Sequence, residues 1–367
     1  MSQLLARLDR ELQVTSDLVK RAEILAKKGS YFARVGRFSD TRAIIGELRQ
    51  EFGDGRSGHA TAWIMLTEGL LHLFENLSPI ALDRITRSQV LGLAMQDASV
   101  VAIASAWKAH LEFETSNFSA MVRSLELAIA NSSDRDHDAR ARLAMVISDS
   151  FLICGDRRCA QEWFLQSRDH ALKDGDQATI EALLYNRAAF SLARLRAERC
   201  VAQINDEQLS LTRLEIASAR NLQTLTGIGA LTNFIYLCDA RLLILEGRYS
   251  QAIEALNGIR NASPFATYNF SQSFVDLELA FCLLKLDRLE ESLSVHKSID
   301  WRSIDGLDVD EQLVAGWMQH QMCSTDEAFG AVGDARTRLD TLSLKYEEMR
   351  LQLLANLQPF QSVRKVV

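Results

Sequence analysis

Residues 242–264 read Leu242-Leu-Ile-Leu-Glu-Gly247-Arg-Tyr249-Ser-Gln-Ala252-Ile-Glu-Ala-Leu256-Asn-Gly-Ile259-Arg-Asn-Ala-Ser-Pro264. An apolar helical run stops at Gly247, which can take a positive φ without a Cβ penalty. Tyr249 can lie over the turn, and Ala252 is small enough to let a neighbouring helix come close. Leu256 and Ile259 continue an apolar face at helical spacing. Pro264 cannot continue a helix, so the chain must turn there. The stretch predicts two antiparallel helices joined by a tight turn.

The pattern recurs. A column of small residues runs through Gly29, Gly69, Ala109, Ser148, Ala188, Ala240 and Ala280, spaced by subtraction at 40, 40, 39, 40, 52 and 40. Twelve residues further on lies a second column, Thr41, Ala81, Met121, Ala160, Cys200, Ala252 and Ser292, in which only Met121 is large. Two helices approach closely only where side chains are small, so the double column is what stacked hairpins require. The turn recurs as Gly36-Arg-Phe38, Ser116-Asn-Phe118, Gly155-Asp-Arg157 and Asp287-Arg-Leu289. The fifth unit carries Leu195-Arg-Ala197 in place of a glycine turn, and the second carries Asn76-Leu-Ser-Pro79.

Helix, Gly-Arg-Tyr turn, small residue and helix together resemble the tetratricopeptide family over roughly residues 20–305. The common repeat of that family is about 34 residues. Here the period is near 40, which is similar to the superhelical sensor domain of MalT-like bacterial regulators. The resemblance implies an all-α, right-handed α-solenoid of about seven antiparallel helix hairpins. The expected division is an N-terminal capping helix over 1–20, the superhelix over 21–305, and C-terminal capping or dimerisation helices over 306–367.

Composition narrows the function classes. A net charge of −7 gives no general attraction to nucleic acid or anionic membrane, so neither is expected as a direct partner. No apolar run reaches the length of a membrane span, and the charged N-terminus does not read as a secretory signal, so a cytoplasmic location is expected. The six cysteines lie at apolar helix positions without CxxC or paired metal spacing and read as small buried hydrophobes.

Catalytic and cofactor motifs are missing from the pattern. Residues 53–59 match the two glycines of a phosphate loop, but His59 and Ala60 stand where lysine and a hydroxyl are required. The histidines form no metal pair one turn apart, and no Gly-x-Ser-x-Gly elbow occurs. Neither a cofactor nor an enzymatic activity is expected. The acidic link 300–311 matches a calcium loop only in composition and reads as a solvated connector with helix-capping aspartates.

Three further segments carry expectations. The N-terminal helix places Leu4, Leu8, Leu12 and Leu18 on one side. About twelve extra residues fall within 204–224, where Leu209, Leu211, Leu214 and Ile216 suggest a lengthened helix. Near the C-terminus, Ala335, Leu339, Leu342, Tyr346, Met349 and Leu353 form a short heptad-like seam. Such a seam caps the last repeat or, alternatively, forms a homodimer.

In tetratricopeptide-like proteins, ligands bind the concave face lined by the first helix of each hairpin. Mapped onto this register, that face presents Lys27, Arg34, Trp63, Trp107, His110, Asp149, Tyr185, Asn186 and Arg241 among aliphatic neighbours. The lysine, asparagine and arginine set that grips a peptide carboxylate in chaperone-binding members is not reproduced. The resemblance therefore implies a non-enzymatic scaffold or adaptor holding a protein or peptide in an apolar concave groove. The alternative is a sensory or regulatory module that answers a small molecule or peptide and acts on a transcriptional or signalling partner.

Overall fold

The computed structural model describes residues 2–53, 57–261 and 271–361. Pro264 and part of the glycine-rich loop, residues 54–56, lie outside the described residues. Among the described residues every regular element is helical.

After α1 (Gln3–Val14), consecutive helices pack in chain order. They are α2 (Leu18–Arg34) with α3 (Phe38–Phe52), α4 (Gly58–Asn76) with α5 (Ile80–Met95), α6 (Ala98–Glu114) with α7 (Phe118–Asn131), and α8 (His137–Cys154) with α9 (Arg157–Asp174). The series continues with α10 (Gln177–Val201) and α11 (Asp206–Thr226), α12 (Thr232–Leu245) and α13 (Tyr249–Asn261), and α14 (Gln272–Lys285) and α15 (Leu289–His296). The short α16 (Trp301–Asp305), then α17 (Val309–Thr325) and α18 (Val332–Asn356), complete the chain. Contacts also link α2 to α4, α6 to α8, α8 to α10 and α10 to α12, so each pair buries its face on its neighbours, as a helical repeat requires.

The small-residue columns are where paired helices touch. Ala109, Ala240, Ala252 and Ala280 have no exposed surface. Thr41 Oγ1 donates to the Gly29 carbonyl at 3.2 Å, Ser148 Oγ to Ala160 at 3.0 Å, and Ser292 Oγ to Ala280 at 2.7 Å. A side-chain hydroxyl reaches a neighbouring helix's backbone only when nothing larger stands between. These bonds also satisfy hydroxyls that would be costly to bury alone.

The turns follow the sequence closely. Gly36, Gly155 and Gly247 adopt φ of 79°, 88° and 72°, and Ser116 and Asp287 adopt 54° and 57°. Tyr249 packs edge-on to Phe281 with ring centroids 6.2 Å apart. Where the turn residue is missing, at Leu195-Arg-Ala197, α10 runs on uninterrupted to 25 residues. The twelve additional residues thus lengthen α10 and produce the 21-residue α11. Ile216 is buried in α11, but Leu211 and Leu214 are 41% and 64% exposed, so the apolar stripe there is narrower than expected.

The N-terminal end departs from the sequence expectation. The N-terminal helix stops at Val14, and Leu18, 62% exposed, opens α2 behind an Asp17 cap. The physical reason is local: the Asp17 side chain accepts the Val19 amide at 2.9 Å and starts a new helix. Helix α1 reaches beyond α2, for the Leu4 amide donates to the Gly175 carbonyl at 3.2 Å and Arg7 pairs with Asp174 at 2.6 Å. At the other end, the heptad-like face, read as either a cap on the last repeat or a homodimer seam, lies against the chain itself. Ala335, Leu339, Leu342, Tyr346 and Leu353 are buried, with α18 lying on α17, α7 and α8. Leu353, Leu357 and Phe360 join the core around α7 to α9, and Trp163 Nε1 donates to the Phe360 carbonyl at 2.9 Å. Among the described residues no helix is long and apolar enough to cross a membrane.

Candidate functional site

The inward sides of α4, α6, α8, α10, α12 and α14 surround a cavity of about 490 Å³, which the start of α17 and the middle of α18 complete. Its apolar wall includes Phe74, Phe113, Phe190, Phe234, Leu237 and Phe274. Aromatic pairs stiffen that wall: Phe113 meets Phe190 at 5.7 Å and Tyr185 meets Phe234 at 5.8 Å between centroids.

Charged groups enter from several elements. Arg34 is bound to Asp176 at 2.6 Å and to Thr179 at 2.7 Å. Arg196 and Arg241 both bond Oε1 of the fully buried Glu278, Arg241 at 3.0 Å, and Arg241 also pairs with Glu311 at 3.2 Å. The guanidinium of Arg142 lies 3.7 Å over the Trp107 ring. Burial, with the nearby Arg142 charge, pushes His110 down to about 3, so its ring is neutral.

The carboxylates behave differently from the arginines. Glu114, Glu181, Asp308, Asp310 and Glu311 all line the cavity. Glu114 and Asp308 are exposed and Asp310 is half-buried where they line the cavity. Burial, then Asp308 and Asp310, push Glu114 up to about 7. Burial, then Glu311 and Asp308, do the same to Asp310. Asp308 rises to about 6 through burial and Glu311. Glu181 rises to about 7 through burial, opposed by a hydrogen bond from Thr226. Just behind the wall, Asp149 is buried and pushed up to about 8 mainly by burial, although it accepts the Asn186 amide at 2.8 Å.

The structure brings five of the nine sequence-derived residues, Arg34, His110, Tyr185, Asn186 and Arg241, to the cavity wall. The other four stand elsewhere. Trp63 and Trp107 are core side chains, 1% and 3% exposed, because longer helices bury them against adjacent pairs. Asp149 supports Asn186 from behind. Lys27 bridges α2 to α8, bonding Glu23 at 2.9 Å and Asp138 at 3.1 Å beside Trp63.

The sequence reading missed Glu114, Glu181, Asp308 and Asp310. The last two belong to the link read as a solvated connector with helix-capping aspartates; Asp308 stands at the N-cap position of α17 without a side-chain capping bond, and both line the cavity. Their one visible signal was that an acidic run preceded a strongly apolar helix face. Among the described residues no His, Cys, Asp and Glu group has the arrangement to hold a metal ion. Of the cysteines, Cys154, Cys159, Cys238, Cys282 and Cys323 are buried and Cys200 is partly so, and burial raises every thiol pKa. No protein-family model matches this chain, and no curated protein matches it.

Proposed function

We propose that this protein is a non-enzymatic, ligand-responsive helical-repeat module whose chamber receives a small molecule or short peptide. The observation that carries this reading is the aromatic-walled cavity of about 490 Å³, which lies within the range of roughly 300–1,000 Å³ typical of small-ligand sites. The chamber joins helices from α2 to α18, so a ligand contacting α6, α10 and α17 together would favour one arrangement of them over another. That is the property a sensory module uses to alter a signalling or transcriptional partner. The double small-residue column and the near-40-residue period support a right-handed, tetratricopeptide-like solenoid of about seven hairpins as the framework.

The lining supports binding over catalysis. His110 is held neutral, and burial pushes the Cys238 thiol at the wall up to about 12, leaving no activated nucleophile there. A scaffold that holds a larger protein in the concave groove is the second reading, supported by the same apolar wall. Chamber filling separates the two. Ala189→Trp places an indole in the cavity, and native mass spectrometry and thermal shift then report on bound ligand. We expect a co-purified or added small ligand to stabilise the natural chain and not the variant. A protein partner captured equally well by both would overturn the chamber reading and favour the scaffold.

A further inference from the structure

We propose that the chamber selects a ligand with a protonated amine on an apolar body, the ammonium lying among Glu114, Asp308 and Asp310 and the body against Phe113, Phe190 and Phe234. This rests on the chamber being a ligand site. The first observation is the unequal pairing of charges. Three arginines at the wall, Arg34, Arg196 and Arg241, are committed to Asp176, Glu278 and Glu311. Arg142 is stacked on Trp107 and faces Asp149. By contrast, no ion pair reaches Glu114, Asp308 or Asp310 among the described residues.

The second observation is position. The three carboxylates come from two elements far apart in sequence, the end of α6 and the start of α17, and meet at one cavity beside an aromatic wall. A helix N-terminus favours acids in its first turn, which accounts in part for Asp308 and Asp310. It does not account for Glu114, which sits at the other end of its own helix, where the dipole opposes a carboxylate. An anionic ligand would meet like charge, and a neutral one would make no use of the three clustered acids. An ammonium supplies the missing partner.

The raised carboxyl pKa values fit this arrangement. Glu114 and Asp310, at about 7, are only partly ionised at neutrality, and Asp308, at about 6, takes up its proton just below it. An aliphatic amine stays charged throughout this range. Binding it favours the ionised acids, so protons leave as it enters, and affinity rises as pH increases from 5.5 to 8. The other titratable groups close to these acids are Glu311 beside Asp308 and Asp310, Asp149 near Glu114, and Tyr346 near Asp310.

The test uses the full chain and dansylcadaverine, a fluorescent primary amine, against its N-acetyl derivative, which keeps the body and removes the charge. Fluorescence titration is expected to show the amine binding about tenfold more tightly at pH 8 than at pH 5.5. The acetylated probe should bind at least about tenfold more weakly at pH 8, without a pH trend. The Glu114→Gln/Asp310→Asn variant, with its thermal transition retained, should reduce the amine to the level of the acetylated probe. Displacement by hexylamine but not by an acetyl-Phe-Leu-Lys amide assigns a small amine, and the reverse assigns a short basic peptide. Equal binding of both probes, or a flat pH profile for the amine, overturns the charge assignment and leaves the chamber intact. Binding of neither probe overturns the chamber reading as well.

Discussion

Gly69 shows how much one position decides. A Cβ there would lie 2.7 Å from Ile85 Cγ1 and 3.2 Å from the Ala81 carbonyl oxygen, a backbone atom that cannot step aside. Gly69→Ala should therefore cost about 1–2 kcal/mol, overpacking outweighing the gain in helix propensity. Gly258, in α13, has open space around it, and Gly258→Ala should stabilise by up to about 1 kcal/mol. Urea unfolding midpoints of the two variants check both signs. Asp149 gives a pH-dependent counterpart. Its folded pKa, pushed up to about 8, lies above the unfolded value, so its favourable contribution is complete below about pH 4 and is lost as pH rises through 8. Asp149→Asn should flatten that decline and be about 1–3 kcal/mol more stable than the natural chain at pH 9. Thermal melts from pH 5 to 9 would reveal the difference. At this scale the small residues were legible in the sequence because their effect is steric and recurs in register. Glu114 was not, because its acidic neighbours Asp308 and Asp310 lie almost two hundred residues away in the chain.

The helices themselves were largely readable, since a turn needs a residue tolerant of positive φ and its absence lengthens a helix, as in α10. What could not be read was where a helix goes once formed. The apolar seam of α18 announces a partner without naming it, because the same spacing suits a second chain or the chain's own core. The partner is internal: Leu353 and Phe360 fill the core around α7 to α9, and the Arg350 guanidinium donates to the Cys154 carbonyl at 2.9 Å. Deleting everything after Gly330 should thus do more than shorten the protein. It uncovers apolar surface on α7, α8 and α17 and removes one wall of the chamber. We expect a markedly lower denaturation midpoint and stronger binding of a hydrophobic dye. An unchanged midpoint would mean that α18 is an accessory to the fold.

Taken whole, the molecule is more closed than a row of hairpins joined only to their neighbours. Helix α2 reaches α8 through Lys27 and Asp138, and α10 through Arg34 and Asp176, while α1 bonds the link between α9 and α10. Burial opposes charging of both Lys27 and Asp138, but their mutual attraction and hydrogen bonding win. The lysine pKa is raised and the aspartate pKa lowered. The aspartate's contribution is present above the unfolded value near 3.8 and is lost on acidification below it. Lys27→Met/Arg34→Met should cost about 3–5 kcal/mol at pH 7, leaving buried carboxylates without partners. The same double variant should increase hydrogen exchange in α2 while α14 and α15 stay protected. Equal deprotection everywhere would show that the two contacts act on the fold as a whole.

The contacts between α1 or α2 and residues 174–179 also order events in time. When the first hairpins leave the ribosome, the groups that will hold α1 in place have not been synthesised. Local pairs such as α2 with α3 can form from nearby residues, but the ring that joins the beginning of the chain to its middle must wait. The N-terminal leucines Leu4 and Leu8 remain uncovered on that side until Ala178 arrives. Slowing translation before codon 174 would prolong that interval, and with it the time in which nascent chains can stick to one another.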